Sequence, residues 1–255
     1  LVSSKQYIKL IKKLQNVKIV VFYNFQSIAM RRIMAYCKKN RIKCIADVTE
    51  WYQPGGNIVY RIFKGVDTSY RMKKLHKKCD VIIAISDYLY KYYKADVTVV
   101  KIPPLVDVTD YKWKQFVNEK KKYTFVYAGK ASDRKERLDL IIEALSKINQ
   151  ENIDATMQVV GMTKEQYLKM YKKDECPSSV QFWGRVSHID ALKAIYQSEW
   201  SIIARERNRV IEAGFPTKVV ESISAGVPVC TNKFSNIDEY LDDTNSSMCE
   251  KISDI

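Results

Sequence analysis

Strand-length apolar runs alternate with helix-length amphipathic stretches along the whole of this 255-residue chain. That alternation admits few folds, because it is the pattern of βαβ units wound around a parallel sheet, an α/β protein. In the first half Val17–Tyr23, Ile42–Val48, Asp80–Ser86 and Val97–Ile102 read as strands. Helices over 4–15, 26–40 and 57–78, and a short one after Ser86, lie between them. Pro103-Pro104 breaks the pattern, and the Lys- and Trp-bearing stretch 110–122 reads as a linker. The second half restarts with Tyr123–Ala128. A helix over 136–148 follows, with Leu138, Ile141, Ile142, Leu145 and Ile148 on one stripe, and then strands over 155–160, 179–183 and 200–204.

Charge divides the chain at the same place. Residues 1–122 hold 26 Lys and Arg against 9 Asp and Glu, whereas residues 123–255 hold 17 against 20. Such a break predicts two domains with different partners. The basic half suits an anionic membrane surface or nucleic acid. No recognised nucleic-acid module is present and the second half is acidic, so nucleic acid is not an expected partner. No uncharged apolar run reaches the roughly 18 residues of a membrane-crossing helix. The six cysteines form no CxxC pair and no metal-ligand spacing, and they read as reduced thiols of a cytosolic protein.

All five glycines of the second half (Gly129, Gly161, Gly184, Gly214 and Gly226) fall at element ends, three of them directly after strands. Ligands of open α/β sheets bind outside the carboxyl ends of strands, and glycine there lets a ligand approach the backbone. Residues 214–229, GFPTKVVESISAGVPV, read as a turn, a short helix, a glycine stop and a buried strand. The turn aims unpaired N–H groups at one spot, which suits a phosphate, and Glu221 lies about one turn further in, where it suits a ribose diol. After the first strand of this half, Gly129-Lys130-Ala131-Ser132-Asp133-Arg134-Lys135 hangs three cations on a loop that opens a helix. Its spacing is not that of a Walker loop. His76 and His188 read as structural or surface residues rather than general bases.

Gly129-Lys130…Lys135, Gly161 in Val-Val-Gly, Gly184 in Phe-Trp-Gly-Arg-Val, and Pro216…Glu221…Gly226-Val-Pro-Val stand in an order that resembles the nucleotide-sugar-binding half of family 4 glycosyltransferases. The resemblance covers residues 80–240 and is nearest to enzymes of bacterial capsule and surface polysaccharide assembly. It implies a retaining, metal-independent transferase of the GT-B fold, with two Rossmann-like domains. The implied domains are a partial acceptor-side domain over 1–104, a linker over 105–122 and a donor-binding domain over 123–255. The family's first strand and acceptor loop, and its long C-terminal helix, have no counterpart in this sequence.

The resemblance also implies roles. Lys130 and Lys135 fall on the family's phosphate-binding pair, and Glu221 on its ribose-binding acid; these three are the expected catalytic residues. The helix opening at Thr217 and Lys218 would cap the distal phosphate, and Gly129, Arg134, Gly161, Gly214 and Pro216 belong to the expected donor- and nucleotide-binding set. Gly184, Arg185 and Val186 would hold the base, and Arg205 would reach the phosphates or the sugar. No cofactor or metal is expected. The implied partners are a nucleotide diphosphate sugar and a glycan or lipid-linked acceptor. The implied location is the cytoplasm, with the basic half on the inner face of the membrane; the cluster 71–78 with Tyr88, Tyr92 and Tyr93 is the expected contact. The sequence departs from the family at Ala213, where its first acid belongs and Glu212 stands one residue off, at Lys130 in place of arginine, and at Trp200. A nucleotide-sugar-binding or partner-binding subunit without catalysis is the alternative reading.

Overall fold

The computed structural model describes residues 3–53, 57–114, 116, 121–129 and 135–254. The chain divides into two units, Leu1–Pro103 with Glu212–Phe215, and Pro104–Ile211 with Pro216–Ile255.

In unit 1, α1 (Ser4–Lys13), β1 (Ile19–Tyr23), α2 (Ser27–Lys39), β2 (Lys43–Val48), α3 (Ile58–Tyr70), β3 (Val81–Ala84), α4 (Asp87–Tyr93) and β4 (Thr98–Lys101) follow in order. The four strands pair in parallel in the order β1-β2-β3-β4. A reciprocal capping box between Ser3 and Gln6 starts α1. Along β2, Cys44, Ala46 and Val48 face inward, while α2 turns Met30, Ile33 and Cys37 onto them. Ile82, Ala84, Leu89 and Tyr93 complete this core. Each large apolar side chain so buried contributes roughly 1.5–3 kcal/mol.

The helix expected over 57–78 changes pitch. Beyond α3 the chain makes a π-helical turn, Arg71–Leu75, and a 3-10 turn, His76–Lys78. The wider turn brings Arg71, Met72, Leu75 and His76 to the interior. Arg71 donates to the Phe25 carbonyl and its guanidinium lies 5.0 Å from the centre of the Tyr52 ring. His76 Nδ1 lies 3.1 Å from the Tyr93 hydroxyl, which donates to the Met72 carbonyl. Burial and the neighbouring Arg71 push the His76 pKa down to about 3. Tyr88 and Tyr92 pack edge-on against Trp51. Of the membrane contact expected at 71–78 with Tyr88, Tyr92 and Tyr93, Arg71, His76 and Tyr93 are corrected to buried core positions, while Lys73, Lys74 and Lys78 are exposed.

Unit 1 also includes 212–215. The Ser86 hydroxyl donates to the Ala213 carbonyl at 3.0 Å, and the Ala213 methyl lies in the unit 1 core.

In unit 2, β5 (Thr124–Ala128), α5 (Leu138–Gln150), β6 (Thr156–Val160), α6 (Lys164–Tyr171), β7 (Val180–Gly184), α7 (His188–Tyr196), β8 (Trp200–Ile203), α8 (Arg209–Glu212), α9 (Thr217–Ser224), β9 (Val229–Asn232) and β10 (Ser246–Cys249) follow, α8 ending where the chain enters unit 1. The sheet is parallel, with order β10-β9-β8-β5-β6-β7. Counted from β5 this is the doubly wound order 3-2-1-4-5-6, whose direction reverses between β5 and β8. The stripe foreseen on α5 is buried at Leu138, Ile141, Ile142 and Leu145, against Val159 and Tyr127. Trp113 and Phe116, from the stretch read as a linker, pack beside Leu192 and Tyr196 within this unit. All six cysteines are free thiols; Cys37, Cys44 and Cys79 of unit 1 are buried. No described helix is long and apolar enough to cross a membrane.

Candidate functional site

The strand order reverses between β5 and β8, the place outside whose carboxyl ends open α/β sheets bind ligands, and the chain leaves both strands there at Gly129 after β5 and Arg205 after β8. Gly129 has φ +137°, a backbone that side-chain-bearing residues rarely adopt, and its amide donates to the Val160 carbonyl. The Arg205 main chain is clamped by Asn232 at the end of β9. Its amide donates to Asn232 Oδ1 and its carbonyl accepts from Nδ2, each at 2.9 Å.

Between them stands Glu136, 2% exposed. Oε1 accepts from Arg205 Nη2 at 2.7 Å and from Lys218 Nζ at 2.9 Å. Lys218 Nζ also donates to the Tyr127 hydroxyl at 2.7 Å and lies 4.4 Å from the centre of that ring. The Glu136 carbonyl accepts from Tyr171, and the Arg137 amide that follows donates to the Ala204 carbonyl, so the carboxylate is fixed from both sides. Two cations share one carboxylate, which leaves an excess of positive charge. Among the described residues Glu136 Oε2 and Arg205 Nε have no hydrogen-bond partner although buried.

Burial works to raise the Glu136 pKa, but Lys218 and Arg205 outweigh it and hold the carboxyl below its ordinary value. Burial lowers Lys218 to about 8, against the pull of Glu136, with Arg205 and Lys135 adding like-charge repulsion. An ammonium so placed gains from any anion that enters.

Lys218 is the second residue of α9, whose N-cap Pro216 provides no side-chain cap. Thr217 is exposed at its first turn. One turn on, Glu221 Oε1 lies 3.2 Å from His188 Nε2, at the start of α7. Gly161 follows β6 and Gly184 ends β7, with the Gly161 amide donating to the Gly184 carbonyl at 2.7 Å; Arg185 beside them is exposed and Val186 packs inward. Gly214 lies in the segment that belongs to unit 1. Lys130 and Arg134 lie outside the described residues, while Lys135 is half-buried.

The structure thus gathers Gly129, Lys218 and Arg205 at the strand reversal, and sets Glu221 against His188. Sequence reasoning missed Glu136, Tyr127 and Asn232. For Glu136 the one available signal was an acid at the end of a run of cations, next to Lys135 and ahead of an apolar helix.

The family model for glycosyl transferases of group 1 matches residues 108–254. Comparison with curated proteins gave no match. Among solved structures, TarM of S. aureus superposes with a TM-score of 0.70 at 13% identity, over 98% of this chain and 49% of that one. The UDP-forming α,α-trehalose-phosphate synthase of Burkholderia xenovorans gives 0.67 at 10% identity, over 98% and 66%. Anabaena Alr3699/HepE, solved in complex with UDP and glucose, gives 0.62 at 11% identity, over 98% and 68%. These likenesses show the GT-B fold of two Rossmann-like units. The chain spans about half the length of TarM.

Proposed function

The chain belongs to the glycosyl transferases of group 1, and from that premise we propose that its protein moves a hexosyl group from a nucleotide diphosphate sugar to a saccharide or lipid-linked acceptor, with retention, in the assembly of a surface polysaccharide. The observation that carries the donor half of this reading is the Glu136–Arg205–Lys218 cluster at the strand reversal of unit 2. Breaking the anomeric C–O bond leaves negative charge on the departing diphosphate. Fixed, largely buried cations stabilise that charge as it develops, which is commonly the largest catalytic contribution. We assign that work to Arg205, Lys218 and Lys135 with the first N–H groups of α9, and the neutralising charge to side chains rather than to a metal. Lys130 and Arg134 join them in this reading on the family resemblance alone.

Glu221 is the ribose anchor in this scheme, with His188 Nε2 3.2 Å from its carboxylate. Gly184, Arg185 and Val186 flank the base, and Gly161 the diphosphate. The UDP seen in Alr3699/HepE makes uridine diphosphate sugars the first donors to test. The reading places the protein in the cytoplasm, with its basic unit against the inner face of the membrane.

The test is a calorimetric screen of UDP-, GDP-, ADP- and CMP-sugars, followed by NMR of the transferred anomer. Binding of one donor class with the α configuration kept supports the proposal; no binding of any class removes it. A second reading, a nucleotide-sugar-binding subunit without transfer, is favoured by Ala213. The family's first acid belongs at this position, and here a methyl is buried in the core of unit 1. Donor binding without hydrolysis or transfer would select that reading.

A further inference from the structure

Unit 1 carries a basic recess at the amino ends of β2 and β3, the end of its sheet away from the strands' carboxyl termini. It is a cavity of about 950 Å³ walled by Arg31 and Lys38 of α2, Arg41, Lys43 and Lys78, over a floor of Met34, Ile42 and Leu75. One acid, Asp80, lies among them. It is already engaged by Lys43 Nζ at 2.7 Å and by the Cys44 amide at 2.8 Å. Arg31, Lys38, Arg41 and Lys78 make no ion pair among the described residues, and all four are exposed. Cationic walls over an apolar floor match an amphiphilic anion.

A second observation says which. Tyr70, on the recess wall, ends a row of apolar side chains one helical turn apart on α3: Ile58, Ile62, Val66 and Tyr70. Ile58, Ile62, Phe63 and Val66 are each at least 60% exposed. An apolar row beside basic groups is the build of helices that lie in the plane of an anionic lipid interface. We propose that this face of unit 1 docks on an anionic phospholipid surface, with a lipid phosphate seated among Arg31, Lys38 and Arg41 and the α3 row dipping into the headgroup layer. The inference rests on the membrane-side part of the reading above and sharpens it, keeping Lys78 of the contact first expected at 71–78. It does not require a nucleotide site, and a nucleotide titration run in parallel keeps the two apart.

The experiment is sedimentation of the chain with phosphatidylcholine vesicles, with and without phosphatidylglycerol, at low and raised salt. Each basic residue near such a surface is worth about fivefold in partitioning. Arg31→Glu/Lys38→Glu/Arg41→Glu should therefore lose tenfold or more. The same charge change on α1, Lys5→Glu/Lys9→Glu/Lys13→Glu, should lose much less, and Ile62→Asp should lose binding with the recess intact. Should the triple reversal unfold the protein, Lys38→Gln/Arg41→Gln is read in the same way. Equal losses from the recess and α1 variants would show diffuse charge only and overturn the proposal. Equal binding to neutral vesicles overturns it too, as does binding of glycerol phosphate in calorimetry without any of vesicles.

Discussion

Lys218 runs its side chain across the backbone of Gly129. A Cβ on Gly129 would overlap Lys218 Cε and stand 3.4 Å from Nζ. The glycine after β5 was expected to make room for a ligand; its bare Cα makes room for the lysine stem.

Replacing Gly129 by alanine should therefore act twice. The positive φ alone costs about 1–2 kcal/mol, and the methyl displaces the Lys218 stem from Glu136. Urea unfolding should show lower stability, and nucleotide affinity should fall at least tenfold. Wild-type affinity in a destabilised variant would mean that Lys218 does not serve the ligand.

Glu136→Ala leaves Arg205 and Lys218 buried without their carboxylate. Breaking a buried pair from one side costs about 3–5 kcal/mol. Glu136→Gln keeps a hydrogen-bond acceptor and should cost less. The pair of variants, compared by chemical denaturation, separates charge from packing; equal losses would assign the role to the charge, and a Glu136→Gln as stable as the wild type would assign Glu136 to packing alone.

Protonation of Lys218 gives binding and stability opposite trends. In the folded chain it titrates near pH 8 and in the unfolded chain near 10.5. Between those values the unfolded chain holds more protons, so the contribution of this group to stability rises with pH. Diphosphate binding that uses the ammonium should weaken several-fold as pH rises through about 8. Lys218→Arg, charged throughout, should remove that inflection. Glu136, whose pKa is held below the ordinary 4.5, stabilises the fold above that value, and its contribution is lost as pH falls through its depressed pKa. An affinity profile flat from pH 7 to about 9 would exclude Lys218 from the anion site.

Glu221→Ala should weaken nucleotide binding by about 1.5–3 kcal/mol, the range for hydrogen bonds to a charged group. His188→Ala, which frees the carboxylate of a half-exposed contact, should leave affinity equal or slightly higher. Calorimetry on both variants tests the assignment, and an unchanged Glu221→Ala would end it.

How far the sequence disclosed this architecture depended on distance along the chain. Strand positions are local properties of apolar runs, and β1 to β9 fall within a few residues of their expected places. The helix stripe on α5 and the placing of Gly129, Gly161, Gly184 and Gly226 at element ends were equally legible, because each follows from neighbouring residues, and the structure gives all four glycines a positive φ. The centre of the site was not. Glu136 meets Arg205 and Lys218 across 69 and 82 residues, and no periodicity encodes such a meeting. The inward turn of Arg71 was hidden for another reason, since a π-helical turn shifts side chains off the ordinary helical period. The pairing of Glu221 with His188, 33 residues apart, needed the fold as well.

The thiols of unit 1 lend themselves to timing. Cys37, Cys44 and Cys79 are enclosed in its core, and burial holds each thiol above its ordinary pKa, Cys79 at about 12. A thiolate-seeking reagent reaches them only when that core opens. Cys176 and Cys249, in unit 2, are half-buried and open to attack sooner, whereas burial holds the Cys230 thiol of that unit up at about 11. Alkylation followed site by site by mass spectrometry would thus clock the breathing of one half of the molecule while the other half is still folded, without any label being introduced.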